Sequence, residues 1–217
     1  GLVPYTGASG IDQSVDHLGP MAANTKDCAL LLEVIAGFDE GRDPRQKNPV
    51  VKKYSELYQK GVKGVRVGAV EESFSMPGYQ DDVSELVRRT GENLSRQGAE
   101  IKEISVPEHE HAGTIMLVSI LDGTLSTFTE QGPNGPNFQG HSITDAIRFY
   151  YSARREKANL MPVTVKNFLL FAKIMRERYG NYYSAKAQNQ VRTISEIYDE
   201  ALSECDLLLM PTTPMKA

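Results

Sequence analysis

Cysteine and histidine are scarce in this sequence. The 217 residues include two cysteines and four histidines, and two cysteines are too few to build a disulfide framework. Cys28 and Cys205 both stand among apolar residues, where a small buried thiol is the usual outcome. These observations exclude a disulfide-rich secreted domain and favour the reducing cytoplasm.

Excess basic charge and long apolar runs are missing as well. Lysine and arginine number 24 against 28 aspartate and glutamate, a net charge of -4, so no nucleic acid partner is expected. No run approaches the roughly 20 apolar residues that cross a bilayer, and residues 1–5 do not resemble a signal peptide. We expect a cytoplasmic protein with no membrane partner.

The overall composition is that of an ordinary globular protein. Hydrophobic residues make up 40% and charged residues 24% of the sequence, which is sufficient for a real core. The sequence begins with Gly rather than Met and ends soon after a strand-like run. We interpret it as a piece of a longer protein, with a processed terminus as the alternative.

The clearest structural pattern is a strand, a helix and a second strand in succession. Alternating apolar residues predict a strand over residues 65–71, helical spacing predicts a helix over 83–97, and a second strand follows over 101–106. Because parallel strands need such a crossover, the predicted fold class is α/β. We expect a mixed sheet with a βαβ unit, flanked by helices.

Helical spacing dominates the other regions. A helix capped by Asn24 or Thr25 is predicted to pack in the core, and four further helical runs cover residues 113–130, 142–156, 163–179 and 182–204. The continuous apolar run Leu207–Met210 predicts a buried strand in the centre of the sheet. One domain then has an α/β portion (1–107), a helical insertion (108–204) and a return to the central sheet (205–217).

Motifs for metal or nucleotide chemistry are weak or absent. His109 and His111 lie two positions apart, so on a helix their rings face different directions, and we predict no metal site. The segment Gly7–Gly10 is interpreted as a turn, because a nucleophile elbow requires G-x-S-x-G between a strand and a helix. Phosphate-binding and dinucleotide-binding glycine motifs are absent.

Three polar or irregular segments are candidates for functional roles. Asp16 and His17 are neighbours whose side chains diverge in extended backbone, so a structural hydrogen-bonding role is expected. Pro211 to Pro214 follows the last strand, and ligands bind outside the carboxyl ends of strands in open α/β sheets, although a plain strand exit remains an alternative. The Pro- and Gly-rich residues 132–140 are either a binding loop or a surface loop.

Several motifs together resemble the amidase signature family. Gly-Leu-Val-Pro-Tyr-Thr-Gly at residues 1–7, Asp-His-Leu-Gly-Pro-Met at 16–21, Asp-Cys-Ala-Leu-Leu-Leu at 27–32 and Asp-Pro-Arg at 43–45 match in order and spacing. Asp-Leu-Leu-Leu-Met-Pro-Thr-Thr-Pro at 206–214 is also similar to a family motif. The broad-specificity and enantioselective amidases are the most similar group. Ala23 departs from the pattern, because this position is usually Arg.

The resemblance implies hydrolysis of a carboxamide to a carboxylate and ammonia. The family uses a Ser nucleophile, a second Ser in a cis peptide and a Lys that accepts a proton, without metal or organic cofactor. Those family motifs lie upstream of residue 1, so the resemblance assigns no catalytic residue here, and this segment alone is predicted to be inactive. A small-molecule amide is the implied substrate.

The resemblance and the segment positions also give candidate site residues. Asp16 and His17 are expected to shape the neighbourhood of the active site. Thr212 and Thr213 are candidates for lining the substrate pocket, with Asp122 and Phe138 as further substrate-binding candidates from the variable region.

Two alternatives remain open at this point. The chain could be a catalytically incomplete module with a structural or partner-binding role, in which case a large exposed apolar face would favour dimers. It could instead be an amidotransferase A-type subunit whose substrate is an acylated tRNA. A homodimer is a candidate state under the amidase interpretation.

Overall fold

The computed structural model describes residues 1–12, 14–132 and 142–216. They form two compact units, and each unit consists of two segments of the chain. Unit 1 contains residues 1–60 and 118–185, and unit 2 contains residues 61–117 and 186–217. The division of the sequence into 1–107, 108–204 and 205–217 stays a prediction.

Unit 2 contains a three-stranded parallel sheet. The strands are β1 (Arg66–Val70), β2 (Glu100–Ile104) and β3 (Leu207–Leu209), in the order β2-β1-β3. Val67 of β1 pairs with Ile101 on one side and Leu207 on the other. The α/β class and the βαβ unit are confirmed, but the described sheet is parallel rather than mixed, because helical crossovers separate its strands along the chain.

The central strand of this sheet is β1, not the apolar run at the end of the chain. Four of its five residues are buried, whereas Leu207 of β3 is 55% exposed. A Cβ on Gly68 would lie 2.7 Å from Cδ1 of Ile104 and 3.0 Å from Sγ of Cys205, so both neighbours pack closely against β1. The prediction that Leu207–Met210 occupies the centre of the sheet was therefore wrong for the described strands. An apolar run indicates that a strand is buried, but it does not indicate which strands lie beside it.

Helices occupy most of the other described residues, and the predicted helical runs are confirmed. The helices are α1 (Thr25–Ile35), α2 (Tyr54–Leu57), α3 (Asp81–Arg96), α4 (His109–Ser119), α5 (Leu121–Leu125), α6 (Thr144–Glu156), α7 (Val163–Tyr179) and α8 (Tyr182–Glu204). A π-helical segment, Ser126–Gln131, follows α5, and short 3-10 turns cover Tyr58–Lys60, Glu71–Phe74 and Ala158–Leu160.

Unit 1 has its apolar core between α5 and α7. Leu121 and Leu125 of α5 are buried against Ala172 of α7, with Phe168 and Met175 packed around them. The small side chain of Ala172 lets the two leucines of α5 pack directly against α7. This core supports the loops that are described below.

Helix α1 is correctly located but is not a core helix. The side chain of Asn24 accepts a hydrogen bond from the backbone N–H of Asp27, which confirms the predicted cap. However, Leu30 and Leu31 are more than two-fifths exposed and Val34 is 81% exposed, with Ala29 the buried residue of this helix. The periodicity identified an apolar face of the helix. It could not show whether another element packs against that face, and among the described residues most of it stays exposed.

One stretch meets the length and composition of a membrane-spanning helix. It is His109–Gln131, with a mean hydropathy of 1.2 and 39% of its apolar window buried. The sequence prediction overlooked this stretch. Core helices of soluble proteins have the same length and composition, and α5 in this stretch carries the core of unit 1.

Candidate functional site

Asp43 anchors the N-terminal loop of unit 1. Its side chain is buried at 4% exposure and accepts hydrogen bonds from the backbone N–H of Tyr5 at 2.9 Å and from Nε of Arg45 at 3.0 Å. Hydrogen bonds from Arg45 lower the pKa of Asp43 to about 2. Asp43 therefore stays ionised and holds both groups in place.

Arg45 continues this network towards the predicted Asp16 segment. Its Nη1 donates to the backbone carbonyl of Asp16 at 2.7 Å, and its guanidinium lies 4.5 Å from the ring centroid of Tyr5. A planar guanidinium can make both contacts at once because its donors lie in its own plane while its face stacks. Arg45 thus joins the Asp43 turn to the segment that contains Asp16.

The carboxylate of Asp16 organises the loop around itself. Oδ2 accepts from the backbone N–H groups of Ile11 at 2.5 Å and Asp12 at 2.7 Å, and from the hydroxyl of Tyr5 at 3.2 Å. The structural hydrogen-bonding role predicted for Asp16 is confirmed. His17 is exposed, and its Nδ1 lies 2.8 Å from the carbonyl of Val15.

Gly10 permits this arrangement because it has no side chain. A Cβ there would lie 1.8 Å from the hydroxyl oxygen of Tyr5 and 2.2 Å from Oδ2 of Asp16. Any other residue at position 10 would displace one of these groups. The turn predicted at Gly7–Gly10 therefore places backbone directly against the hydrogen bond between Tyr5 and Asp16.

The π-helical segment Ser126–Gln131 faces this loop. The hydroxyl of Thr127 donates to the carbonyl of Ile11 at 3.0 Å. The carbonyl of Phe128 accepts from the hydroxyl of Tyr150 at 3.4 Å and from Nη1 of Arg154 at 3.3 Å. Side chains of α6 therefore hold a segment of a type that often occurs at functional sites.

These elements line a pocket of about 570 Å³ within unit 1, which is open to solvent. We call it the Tyr5 pocket, and its lining includes Tyr5, Ile11, Asp16, His17, Phe128 and Tyr150. Burial, followed by the charge of Asp16, raises the pKa of Tyr5 to about 12. Tyr5 is therefore a neutral donor to Asp16 and not a general base near neutral pH.

Asp122 has a structural partner in unit 1. Its Oδ1 accepts from Nε of Arg176 at 2.9 Å and lies 2.8 Å from Nη2, while Nη1 of Arg176 contacts Glu130 at 2.8 Å. This ion pair links α5 and α7, and Asp122 is not among the residues that line the Tyr5 pocket. A role in substrate binding stays a prediction, as does that of Phe138, which lies outside the described residues.

Thr212 and Thr213 belong to unit 2. Both are exposed after the carboxyl end of β3, and the hydroxyl of Thr213 donates to the carbonyl of Met215 at 3.1 Å. The structure thus brings Asp16 and His17 into one pocket and places the threonines in the other unit. Their assignment to a substrate pocket stays a prediction.

His109, the first residue of the predicted histidine pair, contacts an aromatic side chain of α8 in unit 2. Nδ1 of His109 lies 2.5 Å from the hydroxyl of Tyr198, and the two rings meet edge to face. Within residues 1–12, 14–132 and 142–216, no group of three His, Cys, Asp or Glu side chains could hold a metal ion.

Sequence reasoning missed several residues that build the Tyr5 pocket. Tyr5 and Arg45 were noted only as parts of family motifs, and Phe128 and Tyr150 only as parts of helical runs. The available signal was the Asp-Pro-Arg motif, because Pro favours a turn and an Asp and an Arg two positions apart can pair across it. The sequence pattern around Phe128 could not have shown that it lines the same pocket as Ile11.

A model of the amidase family matches residues 1–217 of this chain. The chain belongs to the amidase family. Among curated relatives, the enantioselective amidase of Rhodococcus rhodochrous is 32% identical over 218 residues, covering 100% of this chain and 42% of the relative. The A-type subunit of glutamyl-tRNA(Gln) amidotransferase from Koribacter versatilis is 31% identical, covering 100% of this chain and 44% of the relative.

Solved structures confirm the amidase signature fold. The A-type subunit of glutamyl-tRNA(Gln) amidotransferase from Thermotoga maritima matches with a TM-score of 0.64 and 25% identity, covering 97% of this chain and 41% of that one. The peptide amidase from Stenotrophomonas maltophilia matches with a TM-score of 0.61 and 23% identity, over 94% of this chain and 41% of that one. This chain spans less than half the length of the relatives it matches.

Proposed function

We propose that this amidase takes part in the hydrolysis of a small-molecule carboxamide to a carboxylate and ammonia. The observation that carries the proposal is the amidase family match over the whole of residues 1–217, with an enantioselective amidase among the relatives. The Tyr5 pocket supports it, since pockets of roughly 300–1,000 Å³ are the usual size for small ligands.

The proposed chemistry is acyl transfer to a serine. The Oγ of a Ser nucleophile attacks the amide carbon, a Lys accepts the Ser proton through a second Ser, and the leaving nitrogen is protonated to ammonia. Water then attacks the acyl ester and releases the carboxylate. The proposal assigns none of these three roles to residues 1–217, and it invokes no metal or organic cofactor.

The contribution of the described residues is to shape the surroundings of that reaction. Asp16 and His17 are proposed to form the neighbourhood of the active site, because the network from Asp43 through Arg45 holds the backbone carbonyl of Asp16. Thr212 and Thr213 are proposed to orient a polar group of the substrate, and Asp122 a further one. A rigid frame of this kind favours precise placement of an amide.

An amidotransferase A-type subunit is the second candidate. The relative from Koribacter versatilis at 31% identity and the Thermotoga maritima structure at 25% identity both carry that name. In this case the ammonia would be passed to an acylated tRNA, with a partner protein binding the RNA because this chain has no excess of basic residues.

A direct assay of the native protein tests these proposals. Its intact mass is measured first, and ammonia release is then followed with propionamide, benzamide and glutamine. Release from the simple amides supports the amidase proposal, whereas release from glutamine alone, enhanced by glutamyl-tRNA, supports the second candidate. A sample of 24.0 kDa that releases no ammonia from any of them contradicts both and supports a non-catalytic module.

We also propose a cytoplasmic location and a homodimer. The exposed leucines of α1, Leu30 and Leu31, support association because exposed apolar patches favour interfaces. Light scattering of the native protein at several concentrations tests the dimer. A monomer at every concentration contradicts it.

A further inference from the structure

Strand β2 forms one edge of the sheet in unit 2. The strand order is β2-β1-β3, so among the described residues no strand pairs with the outer side of β2. The backbone N–H of Glu100 donates to the carbonyl of Val65 at 2.9 Å. Because successive residues of a strand direct their backbone groups to opposite sides, the N–H and carbonyl groups of Ile101 and Glu103 point away from β1. We call this outer side of Glu100–Ile104 the β2 edge.

Two charged side chains of β2 are directed to helices rather than across this edge. Nζ of Lys102 contacts Oε2 of Glu204 on α8 at 2.7 Å, and Oε1 of Glu103 lies 3.5 Å from Nη1 of Arg88 on α3. Charged residues often protect an edge strand from pairing with another chain. Here the two charges are paired on opposite faces of the sheet, which leaves the backbone groups of the β2 edge accessible to a further strand.

A groove flanks β2 on each face of the sheet. The groove on the α8 face has a volume of about 540 Å³ and is lined by Lys102 and Ile104 of β2. The groove on the α3 face has a volume of about 530 Å³ and is lined by Ile101 of β2. Side chains of a strand alternate between the two faces. A strand added at the β2 edge would therefore place every second side chain in the same groove.

The two grooves differ in their chemistry. The α8 groove contains the exposed carboxylates of Glu108 and Glu200. Within residues 1–12, 14–132 and 142–216, neither carboxylate makes an ion pair or a hydrogen bond, so a cationic side chain suits this groove. The apolar residues that line the α3 groove are Ala69, Phe74, Ile101 and Leu209. An aliphatic side chain suits that groove.

We propose that the β2 edge binds an extended segment of a partner protein in which basic and aliphatic side chains alternate. The segment adds a strand to the sheet and pairs with the backbone of Ile101 and Glu103. Its basic side chains enter the α8 groove and its aliphatic side chains enter the α3 groove. In recognition of this kind, backbone hydrogen bonds supply affinity, and pockets for alternate side chains supply specificity. The inference is independent of the proposed amide hydrolysis.

Charge favours a basic partner segment over a second copy of this chain. Between residues 100 and 108, three glutamates stand against one lysine. Two such strands side by side would bring like charges together, which destabilises their pairing. A basic segment would instead neutralise Glu108 and Glu200, and complementary charge also directs the choice of partner.

Binding of a model peptide to the native protein tests the proposal. The probe is a short fluorescent peptide that alternates lysine and valine, and its binding is followed by fluorescence anisotropy. One control peptide alternates glutamate and valine, and another has the lysines and valines of the probe in two separate blocks. We expect the probe to bind at least about tenfold more tightly than either control, because only the probe presents a matching side chain to each groove. Equal binding of the block peptide would contradict the proposal.

A substitution in the backbone of the edge distinguishes strand addition from simple attraction of charge. Glu103→Pro removes an N–H that points away from β1, so the pairing with β1 is retained while the added strand is obstructed. The affinity for the probe should fall by about tenfold. Glu103→Gln is the matched control, because it removes the same charge but keeps the N–H, and it should bind as tightly as the native protein. Equal affinities of the two variants would overturn the inference.

Glu200→Lys is a second variant in case Glu103→Pro does not fold. It should weaken binding of the probe by about tenfold, because it places a like charge in the α8 groove. Glu85→Lys makes the same change of charge at an exposed position of α3 that lines neither groove, and it should leave the affinity unchanged. Equal losses in these two variants, or no binding of the probe to the native protein, would overturn the inference. A native dimer that dissociates in Glu103→Pro would assign the β2 edge to a second copy and would also overturn it.

Discussion

The N-terminal loop of unit 1 and the sheet of unit 2 are stabilised by different kinds of interaction. In unit 2, apolar residues of β1 are buried between two parallel neighbours, and the charged pair Arg66–Asp206 lies at the edge with both side chains 48% exposed. In unit 1, the buried carboxylate of Asp43 and its partner Arg45 hold a loop with little regular structure. Loss of a single polar group should therefore be tolerated in unit 2 and damaging in unit 1.

The largest effect is expected for Asp43→Asn. The substitution keeps the shape of the side chain but removes the negative charge that pairs with Arg45, whose side chain is 26% exposed. Breaking a buried pair costs about 3 kcal/mol at the lower end of the known range. Denaturant unfolding of the native protein measures it. Glu204→Gln is the control in unit 2, because Glu204 pairs with Lys102 at 2.7 Å with both side chains exposed. Equal losses in both variants would remove the contrast between units.

Acid unfolding sharpens the same comparison. Asp43 has a folded pKa of about 2 against an ordinary value of 3.8, so its ionised form stabilises the folded state above pH 4. That contribution, about 2 kcal/mol, is lost as the pH falls from about 4 towards 2. The difference in unfolding free energy between the native protein and Asp43→Asn should shrink across this range, and a difference independent of pH would contradict the assignment.

Two glycines provide the next contrast. A Cβ on Gly123 in α5 of unit 1 would lie 1.8 Å from Oδ2 of Asp12, whereas a Cβ on Gly113 in α4 of unit 2 would meet nothing within 4 Å. Gly123→Ala should therefore destabilise by roughly 1–3 kcal/mol. Gly113→Ala should stabilise by about 0.5–1 kcal/mol, because alanine lowers the entropy of the unfolded chain. Thermal unfolding of both variants measures whether each substitution stabilises or destabilises the fold. Destabilisation by Gly113→Ala would contradict the prediction that a position with no neighbour within 4 Å gains stability from alanine.

The difference between local pattern and packing partner explains how far the sequence could predict the structure. The strand β1 and the helices follow from local periodicity, because residues close in sequence lie on one face. The positions of Leu207 at an edge and of Val34 at the surface could not be predicted, since periodicity identifies an apolar face but not its neighbour. Burial needs a partner element, and that information is not local.

The Tyr5 pocket was less predictable than the sheet. Asp16 and His17 were identified from family motifs, but their contacts with Tyr5 and Arg45 join parts of the chain that are far apart. The hydrogen bond between Tyr5 and Asp43, for example, spans 38 positions. Side-chain to backbone contacts of this kind have no repeating pattern. Only the resemblance to a family, and not the spacing, indicated that this loop was important.

The smallest structural effect is expected for Thr212→Val and Thr213→Val in unit 2. Both side chains are exposed, so each variant should change the free energy of unfolding by no more than about 0.5 kcal/mol. If the threonines orient an amide, the KM for the amide should rise or turnover should fall. Thr90→Val on the exposed face of α3 is the control, since its hydroxyl also donates to a backbone carbonyl.

Kinetics that are unchanged in both threonine variants, at full stability, would contradict the proposal that Thr212 and Thr213 orient the substrate. A rise in KM for propionamide and benzamide alike would instead assign the threonines to the amide group that all substrates share.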